Sequence, residues 1–533
     1  MASEQSRDRS GFIEPLPARP NLEMQQKRAR ELLRAAWNGD AAAIERIQAL
    51  HPQPPTSGAL TLSDTQLVIA RGYGFESWAA MKHRIESLTM TPVQQFVSAL
   101  HAHDVDVERV RRLLETHADV RAAINAPISY FDSPPVMRAT KNLVLLDLLL
   151  SHGADINLKT SWWAGGFGII EQDDLTPGEA APLIARGAIV DVFAAALLGM
   201  FERVRELIER DSSLVHARGG DGKTPLHYAA SLPIARYLVD HGADVNARDV
   251  DHESTPAQYL VRKAPDVVRF LIERGARVDI FMAVALNDSA LVERCLGEDP
   301  DALNHRIGEG VFRVRHNGRR ASTPQEIGDG RGDIYRWVLG HYKTAIDVAS
   351  AFGYQDIVSQ LLQHASPTQR LLAACAAADR TTAERLVAEH PGIVSTLDTH
   401  ERRLIAYRAY GNDTAAVALM VDLGFDTRVV GHDGGDALHW AAFLGNPGMV
   451  RALLRRDAAI GVRDARYHAT PLGWCLFGSL FGEKKASGNF AEVARLLIDA
   501  GEQVEANMVP TGRDDVDQVL RAQVTTNRRQ PAQ

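Results

Sequence analysis

A block of about 31 to 34 residues recurs along this chain, and no other feature constrains its fold as strongly. One signature, Thr-Pro-Leu-His-Tyr-Ala-Ala, begins at Thr224, and a second Thr-Pro pair begins 31 residues later at Thr255. A related signature begins at Asp436 and is followed 34 residues later by Thr470. A helical block of this length cannot bury its own apolar face. The copies must therefore stack and share a core.

Each block carries its own helix start and helix stop. Threonine is a good N-cap, the proline after it suits the first helical position, and His227 or Gln258 can reach back to the cap. A glycine after a leucine-rich stretch ends a helix, because glycine readily adopts the left-handed conformation. Such glycines are Gly153, Gly187, Gly242, Gly275 and Gly501. The pattern predicts helix, turn, helix and hairpin in each block.

The Thr-Pro-Leu-His signature and the Gly-Ala-Asp-Val-Asn signature at 242–246 resemble the ankyrin repeat. The resemblance is most specific at 224–246 and 436–475 and extends over most of the chain. It implies an all-α fold, an α-solenoid of about a dozen stacked helix-turn-helix repeats with short β-hairpin connections and two insertions. Residues 67–78 and 471–474 are similar to segments of long bacterial ankyrin-repeat proteins.

Breaks in the repeat pattern predict the domain organisation. The predicted segments are a mobile N-terminal segment at 1–26, degenerate N-terminal helical repeats at 27–130, ankyrin repeats at 131–304 with an aromatic and glycine-rich insertion at 159–174, an arginine-rich insertion at 305–342, ankyrin repeats at 343–507, and a polar C-terminal tail at 508–533. We assign no structure to the two terminal segments. Long insertions in a repeat array usually emerge from one face, and that face is often the one that binds.

The composition limits the cellular compartments and the classes of partner that we expect for this protein. The 59 basic and 67 acidic residues give a net charge of −8, so no global field attracts nucleic acid or anionic lipid. Cys295, Cys375 and Cys475 lie far apart and predict buried thiols, not a disulfide framework or zinc site. The longest apolar run, 192–201, is about half the length that spans a bilayer, and the polar N-terminus does not resemble a signal peptide. We expect a cytoplasmic protein with no membrane contact.

Motifs for catalysis or cofactor binding are weak. The glycines and Lys223-Thr224 at 217–224 suggest a phosphate loop, but Ala217 replaces its first glycine and Pro225 follows its threonine. The equivalent loop at 431–436 has no lysine, so the glycines belong to a hairpin tip. His227 and His439 occupy the position of the repeat signature that can reach back to the cap, which predicts structural roles for both. We therefore predict no catalytic residues, no metal and no cofactor, and a protein that is not an enzyme.

Candidate contact residues lie at the hairpin tips and in the two insertions. Arginine suits bidentate contact with carboxylates or phosphates, and aromatic rings add stacking surface. The tip residues are Asp221, Lys223, Asp251, His252, His432 and Asp433. The insertion residues are Arg313, Arg315, Arg319, Arg320, Tyr335, Trp337, Trp162 and Trp163. Two structural alternatives remain open: the arginines belong to a solvated loop, and the tryptophan pair covers the top of a helix stack.

The resemblance implies a non-catalytic protein-protein interaction scaffold, which binds another protein through the concave ankyrin surface and the 305–342 insertion. We expect a monomer, and nucleic acid is disfavoured as a partner because the net charge is negative. The alternative is an enzyme or a small-molecule binder with a pocket that the 305–342 insertion covers. Fold alone does not decide between the two.

Overall fold

The computed structural model describes a helical protein over residues 12–17, 20–52, 54–55, 60–75, 78, 81–82, 84–85, 90–102, 104–129, 132–314, 330–456, 458, 460–504, 508–509 and 511–527. The chain divides into two units. We call Thr91–Gln369 the central unit, and Met1–Met90 together with Arg370–Gln533 the terminal unit. The division falls within the helix Pro367–Ala376.

The central unit is a stack of short helices. Its α-helices are Pro92–Leu100, Val107–Thr116, Ala118–Ala122, Leu143–Ser151, Pro177–Ile184, Val192–Leu197, Phe201–Arg210, Leu232–Asp240, Pro256–Leu260, Pro265–Glu273, Ile280–Ala285, Ser289–Glu298, Tyr335–Val338, Ala345–Ala351 and Gln355–His364. One-turn 3₁₀ helices at Pro135–Ala139 and Pro225–Tyr228 take the place of longer helices. Consecutive helices pack on each other and on their counterparts in the next repeat, so buried leucine, valine and alanine side chains form a shared core.

The terminal unit contains the same kind of helix pairs. Its α-helices are Leu22–Trp37, Ala41–Leu50, Leu62–Gly72, Arg380–Glu389, Thr399–Arg402, Leu404–Tyr410, Thr414–Leu423, Ala437–Phe443, Pro447–Leu454, Pro471–Phe481, Phe490–Asp499 and Asp514–Asn527. The buried cluster of residues 371–520 includes Met420, Trp440 and Phe490. The prediction of an all-α solenoid with ankyrin-type repeats is confirmed, although the number of repeats stays a prediction.

The helix starts follow from local chemistry, as predicted. The Thr255 side chain and the Gln258 side chain form a capping box around the start of the helix Pro256–Leu260. Thr176 and Glu179 form the same device ahead of Pro177–Ile184. Gly242 has a φ of +95°, which confirms its role in ending a helix.

The connections between repeats differ from the predicted β-hairpins. No strand is assigned in the described residues, which contain one isolated bridge between Ser129 and Ser133. Each tip is instead a tight turn with one backbone hydrogen bond across its base. Gly219 N donates to Lys223 O at 2.9 Å, and Gly431 N donates to Gly435 O at 2.9 Å. The turns are too short to form a ladder of strand pairs.

Both predicted terminal segments contain helical structure that the sequence analysis left out. The first helix begins at Leu22 and not after residue 26. In the C-terminal segment, Asp514–Asn527 is a helix whose Val516 and Leu520 side chains are buried. The sequence of this helix is mostly polar, but Val516 and Leu520 are four residues apart. That spacing places both side chains on one helix face. All three cysteines are buried free thiols, as predicted.

The two cap histidines have opposite pKa shifts. Burial lowers the pKa of His227 to about 3, and the nearby positive charges of Arg218 and Lys223 lower it further. Burial alone would also lower the pKa of His439, but the Asp436 carboxylate, 2.8 Å from its Nδ1, raises it above the usual value. Folded His227 binds fewer protons than unfolded His227, so its repeat loses stability as the pH falls from about 6.5 towards 3.

Exchanging the cap residue should reduce this acid sensitivity. We expect Thr224→Asp to raise the pKa of His227 by about 1–3 units, because a carboxylate then faces Nδ1. NMR titration of the imidazole would measure the shift, and Asp436→Thr, which should lower the pKa of His439, is the reciprocal control. An unmoved His227 pKa in Thr224→Asp would show that burial alone decides it.

Candidate functional site

Two successive tip turns of the central unit form the base of the candidate site. The first turn, at 219–223, carries Asp221 at a φ of +57°. The second, at 249–254, is closed by a hydrogen bond from Asp249 N to Ser254 O at 3.0 Å. The turns are joined because Val250 N and Asp251 N both donate to Asp221 O, at 2.8 and 3.1 Å. The side chains of the two tips are therefore held in one arrangement.

The aromatic and glycine-rich insertion packs on the first tip. Asp221 N donates to Gly165 O at 3.3 Å, and the Phe167 ring lies against Gly220. Gly165 has a φ of +136°, and a β-carbon there would overlap the Gly219 carbonyl oxygen. Glycine is therefore required at position 165 of the insertion and at position 220 of the tip.

The C-terminal part of the 305–342 insertion packs on the second tip. Asp333 N donates to His252 O at 3.0 Å, and Ile334 N donates to Ser254 Oγ at 3.2 Å. Tyr335 is completely buried, and its hydroxyl donates to Asp279 at 3.1–3.2 Å. This part of the insertion belongs to the core of the central unit.

The two insertions and the tips line an open cleft of about 640 Å³. Its aromatic and aliphatic walls include Trp162, Phe167, Tyr259, Ile334 and Trp337. Its polar lining residues are Ser129, Ser133, Arg138, Thr160, Gln172, Asp173, Asp221, Asp251 and His252. Both apolar and charged groups thus face one concave space.

A buried lysine lies at the base of this site. Lys223 is 1% exposed, and its ammonium lies 4.4 Å from the centre of the Tyr228 ring and 5.3 Å from those of Phe167 and Tyr259. Its Nζ lies 3.4 Å from Asp173 and 3.8 Å from Asp221. Aromatic faces and carboxylates together compensate for the loss of water around this cation.

Asp221 and His252 of the tips have shifted pKa values. Burial raises the pKa of Asp221 to about 6, although the Lys223 charge opposes this. Burial alone would lower the pKa of His252, but its hydrogen bond to Asp333, 3.0 Å from Nδ1, and the neighbouring carboxylates raise it overall. One donor atom each of Asp221, Asp251 and His252 lies within 4.8 Å of the others, so these three could ligate a metal. The Lys223 ammonium already supplies positive charge beside them.

The structure brings five of the predicted contact residues together and separates the others. Trp162, Asp221, Asp251, His252 and Trp337 line the cleft, with Trp163 beside Trp162 at a ring distance of 6.0 Å. Lys223 lies beneath the cleft and Tyr335 is in the core, so neither presents a free side chain to a partner. Arg313 is exposed away from the cleft lining, and Asp433, in the terminal unit, pairs with Arg466. Arg315, Arg319, Arg320 and the His432 side chain lie outside the described atoms.

Several cleft residues were missed by the sequence analysis. Asp173 ends the aromatic insertion, and Tyr259 follows the Thr255-Pro256 signature on the first helix of its repeat. Both positions could have been found by aligning the repeats with one another, because the alignment places Asp173 at a tip position and Tyr259 at an inner-helix position. Arg138 and Ser133 belong to a repeat without the Thr-Pro signature, and no local pattern marks them.

Residues 192–282 match a family described as ankyrin repeats in three copies, and residues 433–465 match the single ankyrin repeat. The chain is an ankyrin-repeat protein. The first match contains both tips that form the base of the cleft, and the second contains the tip with Asp433. Ankyrin repeats generally mediate protein-protein interaction.

Curated ankyrin-repeat relatives match short parts of this chain. Ankyrin repeat and SAM domain-containing protein 6 of Rattus norvegicus is 35% identical over 94 residues, which is 17% of this chain and 11% of that protein. Alpha-latrocrustotoxin-Lt1a of Latrodectus tredecimguttatus is 35% identical over 89 residues, 16% of this chain and 6% of the toxin. Palmitoyltransferase akr1 of Schizosaccharomyces pombe is 40% identical over 68 residues, 12% of this chain and 11% of the enzyme.

This ankyrin-repeat protein therefore spans no more than 11% of the length of those three relatives. All three are eukaryotic, and the similarity to bacterial ankyrin-repeat proteins stays a prediction. In the described part of the chain, every helix is too short or too polar to cross a membrane.

Proposed function

We propose that this protein is a non-catalytic recognition scaffold and that the cleft of the central unit is its contact site for a partner protein. The exposure of Trp337 at the rim of the cleft carries this proposal. Trp337 is 74% exposed, whereas Tyr335 in the same short helix is completely buried. A large aromatic side chain left in water at the edge of a concave surface is typical of an interaction hot spot.

The surroundings of Trp337 support a protein contact. Trp163 is 36% exposed and lies beside Trp162, which lines the same cleft. The Asp251 and His252 side chains are partly exposed, the Asp333 carboxylate holds the His252 ring, and that ring lies 3.7 Å from the Asp251 carboxylate. Aromatic anchors surrounded by ordered polar groups match the composition of protein interfaces. Because the tips are already ordered, a partner would lose little entropy in fixing them.

Site-specific cross-linking tests the proposal. We would incorporate p-benzoylphenylalanine at position 337 of the full chain, irradiate it in lysate of the source organism, and use position 37 as the control, since Trp37 is 58% exposed in the terminal unit. We expect one dominant adduct from position 337 that position 37 does not give. Equal labelling from both positions, or no adduct from position 337, would contradict the proposal.

Once the partner is purified, Trp337→Ala should weaken its affinity by about 2 kcal/mol, roughly 30-fold, as for a hot-spot residue. The single variant Asp251→Asn should also weaken the affinity if a cationic side chain of the partner contacts the tip. Isothermal titration calorimetry would measure both effects, and Trp37→Ala is the matched control. Unfolding midpoints should not change, because Trp337 is exposed.

The cleft also favours a second candidate function, the binding of a small molecule. Its volume of about 640 Å³ is in the range of ligand pockets, and Ile334 and Trp337 of the 305–342 insertion cover one side of it. A thermal-shift screen of metabolites would test this function. A ligand that raises the melting temperature of the wild type but not of Trp337→Ala would favour it, and a screen without such a ligand would disfavour it.

A further inference from the structure

A second surface, in the terminal unit, carries a row of seven aromatic side chains, of which four are exposed. We call Tyr410, Trp440, Phe443, Tyr467, Trp474, Phe477 and Phe481 the aromatic ridge. Their rings are in continuous contact: the Tyr410 and Trp440 centroids lie 4.7 Å apart, those of Trp440 and Trp474 4.9 Å apart, and those of Phe477 and Phe481 5.0 Å apart. The ridge crosses three successive first helices, Leu404–Tyr410, Ala437–Phe443 and Pro471–Phe481.

Four side chains of the aromatic ridge are exposed to solvent. Tyr410 is 45% exposed, Tyr467 57%, Phe477 58% and Phe481 68%. Phe477 and Phe481 are four residues apart on one helix, so they cover the same face, while Leu472 and Cys475 fill the core on the other side. Packing within the unit therefore does not require these exposed rings. Contiguous apolar surface of this kind marks interaction sites.

The base of the ridge is rigid. Trp440 and Trp474 are each 6% exposed, and the Trp474 indole donates to Asp464 Oδ2 at 2.9 Å. Gly478 lies directly against the Phe443 carbonyl, where a β-carbon would not fit. The two helices are thus in close backbone contact. The exposed rings stand on an ordered support, which lowers the entropy lost on binding.

Basic side chains predominate around the ridge. Arg466 lies 5.4 Å from the centre of the Tyr467 ring, and its side chain is 62% exposed although it pairs with Asp433. Lys484 and Lys485 are exposed in the turn that directly follows Phe481. Arg403 directly precedes the helix Leu404–Tyr410, and Arg463 lies in the same loop as Arg466. Acidic groups nearby include Asp433, Glu483, the buried Asp464 and Asp515, which pairs with Arg513 beside Lys485.

We propose that the aromatic ridge is a second docking surface and that it binds a partner segment with apolar anchor residues flanked by acidic residues. The rings supply contact area for the anchors, and the surrounding arginines and lysines complement the acidic flanks. This site does not depend on the function proposed for the cleft. The two surfaces would let one chain hold two segments at once.

Peptide selection against the full chain tests the ridge. We would select random linear peptides displayed on phage and measure the affinity of the enriched peptides by fluorescence anisotropy. We expect them to combine aromatic or aliphatic anchors with an excess of Asp and Glu. The double variant Phe477→Ser/Phe481→Ser should bind them at least about 30-fold more weakly, as expected when hot-spot rings are removed. Lys484→Glu/Lys485→Glu should also weaken binding, and added salt should reduce the wild-type affinity.

The matched control is Val144→Ser/Ile189→Ser, which removes two side chains that are 64% and 63% exposed in the central unit and should leave peptide binding unchanged. Equal unfolding midpoints of the variants would show that they are folded. The proposal is overturned if no selected peptide depends on Phe477 and Phe481, or if the selected peptides are basic. It is also overturned if light scattering shows self-association that the Phe477→Ser/Phe481→Ser variant abolishes, because the occupant is then a second copy of the chain.

Discussion

Lys223→Ala is expected to destabilise the first tip of the central unit by about 3–5 kcal/mol, the range found when one partner of a buried ion pair is removed. The Lys223 ammonium is almost completely buried and lies within 4 Å of Asp173 and Asp221. Without it, Asp221, whose side chain is 14% exposed, loses its buried counter-charge. Three aromatic rings would also face an empty space.

Hydrogen exchange of the 219–260 backbone, followed by mass spectrometry, would measure this loss locally. Lys263→Ala is the control, because Lys263 also contacts Asp173 but its side chain is 57% exposed. We expect the control to cost less than about 1 kcal/mol, as for other surface ion pairs. Asp221→Asn in the Lys223→Ala background should restore part of the stability, since it removes the unpaired charge. Equal effects of the two lysine variants would show that Lys223 is solvated in solution.

Tyr335→Ala is expected to destabilise the central unit by about 3–5 kcal/mol, as for other buried aromatic residues. The Tyr335 ring packs against Phe281 and Phe312, with centroids 5.8 and 6.1 Å away, and its hydroxyl donates to the buried Asp279. Tyr335→Phe keeps the ring and should cost about 1–3 kcal/mol, because Asp279 loses a donor.

Trp337→Ala is the matched control for Tyr335→Ala, since both residues lie in the helix Tyr335–Val338. We expect it to change stability by no more than about 0.5 kcal/mol. Thermal unfolding and proteolysis near residues 331–342 would measure both variants. If Trp337→Ala destabilised the protein as strongly as Tyr335→Ala, the short helix would be oriented differently in solution. Deletion of the whole 305–342 insertion would remove Tyr335 from the core, so point variants give the cleaner test of binding.

Much of the fold could be predicted because its signals are local. The Thr255-Pro256 pair with Gln258, and Gly242 at the end of its helix, act within one helical turn. The structural roles of His227 and His439 were predicted for the same reason. The pKa values of the two histidines shift in opposite directions because the N-cap residue is Thr224 in one repeat and Asp436 in the other. The helix Asp514–Asn527 was missed, because the two apolar residues that it buries, Val516 and Leu520, lie among polar residues in the sequence.

The sequence by itself determined most of the helices, the repeat and the positions of the tips, since hydrogen bonds and side-chain periodicity within about one or two turns decide them. Only the tertiary structure decided what each tip residue does. Lys223 has the sequence context of an exposed tip lysine, yet Phe167 and Asp173, about 50 residues earlier, enclose it. His252 meets Asp333, which is 81 residues away. Such contacts arise where the insertions pack back on the repeats, and residue spacing does not encode them.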